Sequence, residues 1–177
     1  MTKTLLTFFL VVSSMVTFAQ QDPWLTDLSQ KWANAQKYSL EIANLMPETN
    51  FSFKPTAEEM SFGEQVVHTA SNMVWLSSTY LTSEKPPALL ADFKKLEAGK
   101  MSKSEILDVL TQSFDYASKA IQSTDPTQLG EEVKFFAGPM ARRKILLLLH
   151  DHVTHHRGQM IVYLRLNNIK PARYVGW

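Results

Sequence analysis

Four of the five histidines in this 177-residue chain fall between positions 150 and 156, in the run His150-Asp151-His152-Val153-Thr154-His155-His156-Arg157-Gly158-Gln159. His152 and His156 are four residues apart, so on a helix they lie one turn apart on a common face. Two imidazoles stacked in that way can bind one metal ion. At about 100° per residue, Ile145, Leu149, His152, His156, Gln159 and Tyr163 form a single stripe. The stripe is apolar below the histidines and polar above them, which puts the pair where a helical core meets a cavity. On this phase His150 points away from His152 toward solvent, and His155 sits on the flank.

A pair needs a third donor to hold a metal firmly. His68 lies in an earlier helical segment, with Glu64, Asn72 and Trp75 on its own face. Read by itself, His68 is a core residue hydrogen-bonded to a neighbour. Read with the pair, it is the missing imidazole from a facing helix. Three histidines leave at least one coordination position open, as in catalytic rather than closed structural sites. Neutral imidazoles suit zinc, nickel, copper or iron, and we place zinc or nickel ahead of iron or copper.

Other chemistries fail on spacing. The zinc-protease helix needs Glu directly after the first histidine, where Val153 stands. Di-iron bundles need Glu three residues before each histidine, but Gln65 and Leu149 occupy those places. His150-Asp151 could begin a phosphohydrolase pair, yet it faces outward and lacks a helper histidine. The chain has no cysteine and no Gly-x-Ser-x-Gly elbow, so neither a cysteine nor a serine triad has support.

Four amphipathic helices must position these residues. The first is expected from Asp22, capping Pro23, to Met46, with Leu25, Leu28, Trp32, Ala35, Ile42 and Met46 on its apolar face. Capping boxes at Ser61–Glu64 and Ser102–Glu105 open the second and third. The fourth follows Gly138-Pro139 and ends near Asn167-Asn168. A long crossover after Pro86-Pro87 is expected to hold a short helix, Leu89 to Glu97, and Val133 to Phe136 to be extended. The fold class is therefore all-α, a four-helix bundle whose neighbours are not all simple hairpins.

Residues 1–19 read as a secretory signal peptide, with an uncleaved N-terminal anchor as the alternative: Lys3, an apolar stretch from Leu5 to Val16, and small residues before a cut after Ala19. One domain, residues 20–177, would remain, exported to the periplasm or the medium. Without cysteine it has neither a disulfide nor a lipid-anchored cysteine, so its core, and any bound metal, must hold it. Loss of Lys3 would leave acidic and basic residues balanced, which argues against nucleic acid as a partner. No later segment could span a membrane.

His68, the string His152-x-x-x-His156-Arg157-Gly158-Gln159 and the following Val162-Tyr163-Leu164-Arg165-Leu166 resemble the DinB-like superfamily of bacterial four-helix metalloproteins. The segment Phe51-Ser52-Phe53-Lys54-Pro55-Thr56 leading to Met60-Ser61-Phe62-Gly63-Glu64 is similar to that family's entry into its second helix. The resemblance implies an up-down-down-up bundle, commonly a homodimer, with a divalent metal on three histidines that map to His68, His152 and His156. It also implies a range of reactions, including transfer of a small thiol to an electrophile.

Three readings follow. The first is a metal-dependent enzyme acting on a small molecule, by hydrolysis through activated water or by thiol transfer. The second is a non-catalytic envelope protein that uses the metal and a pocket to bind a ligand. The third is a bundle with a purely structural metal. A hydrolase needs a base, for which Glu64, Asp151 and His155 are the candidates, and none is compelling. Of the rest, Gln159 could support a ligand histidine or a bound water, Arg157 and Arg165 would make surface or bundle-end ion pairs rather than clamp substrate, and Gly158 would let a neighbouring helix approach. Trp75, Tyr163, Phe135 and Phe136 read as core, with Trp75 and Tyr163 in phase to line the pocket.

Overall fold

A computed structural model describes residues 22–177, so the expected signal peptide, residues 1–19, lies outside the described residues. Helix α1 spans Pro23–Leu45, and Asp22 caps it by accepting from the Leu25 amide. Helix α2 spans Phe62–Leu76 and runs on through a π-helical turn, Ser77–Leu81. Helix α3 spans Lys103–Gln122, and α4 spans Arg142–Leu166. Both expected capping boxes form, with Ser61 and Ser102 each exchanging hydrogen bonds with the Glu three residues on. Asn168, at φ 58°, closes α4 in the left-handed conformation while Ile169 N–H donates to Leu164 O.

Side-chain contacts fix the helix directions. Lys103 Nζ, at the start of α3, donates to Asn44 O at the end of α1, so these two run antiparallel. A Cβ on Gly63, in the first turn of α2, would meet Ile106 Cδ1 in the first turn of α3 at 3.4 Å, so α2 and α3 run parallel. Arg142 Nη1, opening α4, donates to Tyr80 O beyond the end of α2, which makes that pair antiparallel. The order is up-down-down-up. Around the bundle the helices follow one another as α1, α3, α2 and α4.

The core lies on the shared axis, where Trp32, Ile42, Phe62, Met73, Leu110, Phe114, Leu149 and Tyr163 are all buried. Gly63 earns its place here, because its helix passes close to Phe51 O and Ile106 and leaves little room for a side chain.

Two connections differ from the sequence expectation. The crossover holds three 3₁₀ turns, Ala88–Leu90, Phe93–Lys95 and Ala98–Lys100, in place of a short α-helix. Leu90, Phe93 and Leu96 recur at three, the 3₁₀ period, and all pack on the core. Ser71 Oγ ties the crossover to α2 by donating to Phe93 O at 3.1 Å. The extended segment is one arm of a hairpin, β1 Glu132–Phe135 paired antiparallel with β2 Gly138–Ala141. Phe136 and Ala137 form its tip, and Gly138 takes φ 112°, open to glycine. Among the described residues no helix is long and apolar enough to cross a membrane.

Candidate metal centre

Helices α2 and α4 face each other at His68, His152 and His156. The Nε2 of His152 lies 3.2 Å from the Nε2 of both His68 and His156. One ligand atom from each of the three falls within 4.8 Å of the others. The structure thus brings together the two histidines selected by helical phase and the lone imidazole expected from the facing helix.

Each ring is kept neutral. Burial, then the neighbouring imidazoles, pushes His156 down to about 3 and His152 down to about 4. His68 is lowered as well, by burial and then by the charge of His155. Near pH 7 the three present lone pairs rather than cationic N–H groups.

The tautomer of His156 is dictated by a chain of hydrogen bonds. Tyr163 O–H donates to Met60 O at 2.8 Å, so its oxygen is left to accept from Gln65 Nε2 at 3.4 Å. Gln65 Oε1 therefore turns toward His156 and accepts from its Nδ1–H at 2.6 Å. That leaves His156 Nε2 as a bare lone pair aimed at His152. Gln65 is the functional residue the sequence reading missed. It entered only as the residue that rules out a di-iron motif, and its signal was its place one turn before His68 on the same helix.

One proton on His152 Nε2 would have to be shared between its two 3.2 Å contacts, whereas a cation would satisfy all three nitrogens at once. Tetrahedral coordination at zinc–imidazole bond lengths separates donor nitrogens by about 3.3 Å. The donor set fits a divalent ion in type, protonation and spacing. His152 Nδ1 is buried without a partner, so this ring lacks the outer hydrogen bond that His156 has.

His68 also lines a groove of about 860 Å³ between α2, the loop before it and the crossover. Trp75 lines the same groove, whereas Tyr163 is buried in the core and supports Gln65. Glu64 lines it too, but its carboxylate accepts from Ser61 N–H at 2.6 Å and pairs with Lys54 at 3.2 Å. The Ser61 amide, chiefly, holds that carboxyl below its usual range. His155 is exposed and stands edge-on to His156 with ring centroids 4.9 Å apart, and Asp151 is exposed.

Several expectations for nearby residues are corrected. Arg157 makes no surface ion pair: it is 5 % exposed, with its guanidinium 5.0 Å from the Tyr38 ring centroid and Nη1 3.4 Å from Ser39 Oγ. Gly158 admits no neighbouring helix, since nothing lies within 4 Å of where its Cβ would be. His150 is half-buried against Trp32, at 6.5 Å between ring centroids, because the helix face opposite His152 packs toward α1. Phe136 is outside the core, at 82 % exposed, because it sits at the hairpin tip. Gln65 occupies the supporting role considered for Gln159.

The profile of the DinB family matches residues 15–172. No curated protein matches the chain. Among solved structures, a DinB-like protein from Bacillus cereus ATCC 10987 superposes with a TM-score of 0.68 at 20% identity, over 85% of this chain and 97% of its own. A DinB-like protein from Bacillus subtilis gives 0.67 at 18% identity, over 84% and 96%. A protein from Exiguobacterium sibiricum 255-15, described as a putative member of the DinB family, gives 0.64 at 20% identity, over 86% and 97%. At these identities the likeness is one of fold.

Proposed function

The chain belongs to the DinB family, and from that premise we propose that it is a metal-dependent enzyme acting on a small molecule in the groove beside His68. His68, His152 and His156 would hold one divalent ion through Nε2, with zinc or nickel ahead of iron or copper. The ion supplies Lewis acidity, which makes a water or a thiol nucleophilic near neutral pH. The observation that carries this reading is the convergence of three neutral imidazole nitrogens, one of which, on His68, lies at the wall of an open groove.

The protein's own residues have separate tasks. Burial keeps the imidazoles uncharged, so that a metal does not compete with protons near pH 7. Gln65 holds the His156 ring in one tautomer and one orientation. The groove admits substrate from the side of α2 that carries His68 and Trp75.

One observation favours a second reading, a non-catalytic ligand-binding protein of the envelope. Glu64, the groove carboxylate one turn from His68, is already engaged by the Ser61 cap and Lys54, which leaves no evident base there. Assays of metal-loaded protein on simple esters, and on a chloro-nitro arene with several thiols, separate the readings. Turnover in either assay that is lost in His156→Ala supports the enzyme; silence in both supports the binding protein. Elemental analysis of protein purified without chelator should give one metal per chain, and none in His152→Ala or His156→Ala. Full retention of metal in those variants would overturn the site. Export and a homodimer belong to the same proposal, checked by a mature N-terminus at Gln20 and by mass in solution.

A further inference from the structure

The groove does not end at His68. Two turns further along α2, Trp75 lines it, and Trp75 is packed in turn against an aromatic cluster just outside the groove. The Trp75 ring centroid is 6.0 Å from Phe135 and 6.3 Å from Phe136, and those two rings are 4.3 Å apart. Tyr80 backs the cluster at 5.8 Å from Trp75 and 5.6 Å from Phe135. Phe135 and Tyr80 anchor it to the bundle, while Phe136 stays 82 % exposed. A two-residue hairpin turn thus holds an uncovered phenyl ring beside the groove's tryptophan. An aromatic patch with one buried edge and one open edge is a ready surface for another flat ring.

The helix gives the spacing. His68 and Trp75 are seven residues apart on one face of α2, a rise of about 10 Å. Between them Asn72 lines the groove with its Oδ1 unpartnered. Carboxylates outnumber ammonium groups along the lining, with Glu58, Glu59, Glu64 and Glu97 against Lys54 and Lys94. That charge disfavours a ligand with an anionic tail.

We propose that Trp75 and Phe136 form a specificity subsite for an uncharged aromatic group carried about 10 Å from the end of the ligand that reaches the three histidines. The substrate class is then a neutral, aryl-tailed small molecule. This rests on the metal-dependent reading above for one end of the ligand, and on the Trp75–Phe136 aromatic cluster alone for the other.

The test uses the protein loaded with cobalt(II), whose visible spectrum reports sulfur binding, and three probes: ethanethiol, 4-cyclohexylbutanethiol and 4-phenylbutanethiol. The phenyl probe should bind about tenfold more tightly than ethanethiol and more tightly than its cyclohexyl counterpart. Phe136→Ala, which opens no core because the residue is exposed, should remove most of that gain and leave ethanethiol binding unchanged. In parallel, 4-phenylbutan-1-ol added to metal-free protein should shift the Trp75 indole N–H resonance, a readout independent of any metal. Failure of cobalt to bind would overturn the metal reading, while the indole shift would still decide the subsite. The subsite is overturned if the phenyl probe gains nothing, if its gain survives Phe136→Ala, or if the indole resonance stays fixed. It is equally overturned if Phe136→Ala changes only the mass of the protein in solution, since the patch would then be a contact between copies of the chain.

Discussion

His156 and Arg157 are consecutive residues of α4, both buried, and the bundle treats them in opposite ways. His156 faces α2, is held neutral by burial, and is aimed by Gln65 with its lone pair outward. Arg157 faces α1. It keeps its guanidinium over the Tyr38 ring, within 3.5 Å of Ala35 O, and no carboxylate pairs with it among the described residues. Burial lowers its pKa, yet arginine titrates so high that it stays charged. One seam of the helix therefore carries its own cation, satisfied by a π face and backbone oxygen. The other seam carries only neutral imidazole donors. Neighbouring positions differ by 100° of helix phase, enough to separate a buried cation from a cluster of neutral imidazoles.

Three experiments test whether the two seams are independent. Arg157→Ala should have the largest effect on the fold, lowering stability by roughly 2–3 kcal/mol in chemical denaturation through lost packing and lost cation–π contact. Its metal content should be unchanged. Loss of metal in this variant would mean that the two seams are coupled.

Gln65→Ala should act in the reverse sense, weakening metal affinity by 10- to 100-fold, about 1.4–2.7 kcal/mol, measured by competition with a chelating dye. Unaltered affinity would reduce Gln65 to a packing residue.

The third experiment concerns pH dependence. His152 and His156 are protonated near 6.5 in the unfolded chain but only near 4 and 3 in the folded one, so between those values the unfolded state binds more protons. Metal-free protein should therefore have its full stability above about pH 6.5 and lose it progressively as the pH falls toward 3. His156→Gln should flatten that slope, read as melting temperature against pH, whereas Arg157→Ala should leave it intact.

Helix starts were legible because their signals are local: Asp22 before Pro23, and the Ser–Glu boxes at 61 and 102, each act within one turn. The three histidines could be grouped because phase along α4 and one lone imidazole on α2 left few alternatives. The ring order of helices was not legible from periodicity, which says which face is buried but not against what. The second hairpin strand was hidden as well, since Gly138-Pro139 reads as a break and only pairing with Val133 and Lys134 makes it extended. Arg157 was misjudged because a charged residue next to a metal-binding string looks like surface. Only the position of Tyr38 on α1, a long-range fact, turns it into core. Phe136 failed for the converse reason, since a tip residue and a core residue have the same composition.

The ring order α1, α3, α2, α4 also bears on how the molecule comes into being. Consecutive helices α1 and α2 scarcely touch, and neither do α3 and α4; the large interfaces other than α2 with α3 join helices far apart in the chain. No helical hairpin formed early in synthesis could be stable by itself, and loop-closure entropy must be met before most native contacts form. The histidine cluster joins residue 68 to residues 152 and 156, so it assembles only when nearly the whole chain is present. A chain interrupted before α4 would have no site at all, and folding should be slower than in an up-and-down bundle of the same length.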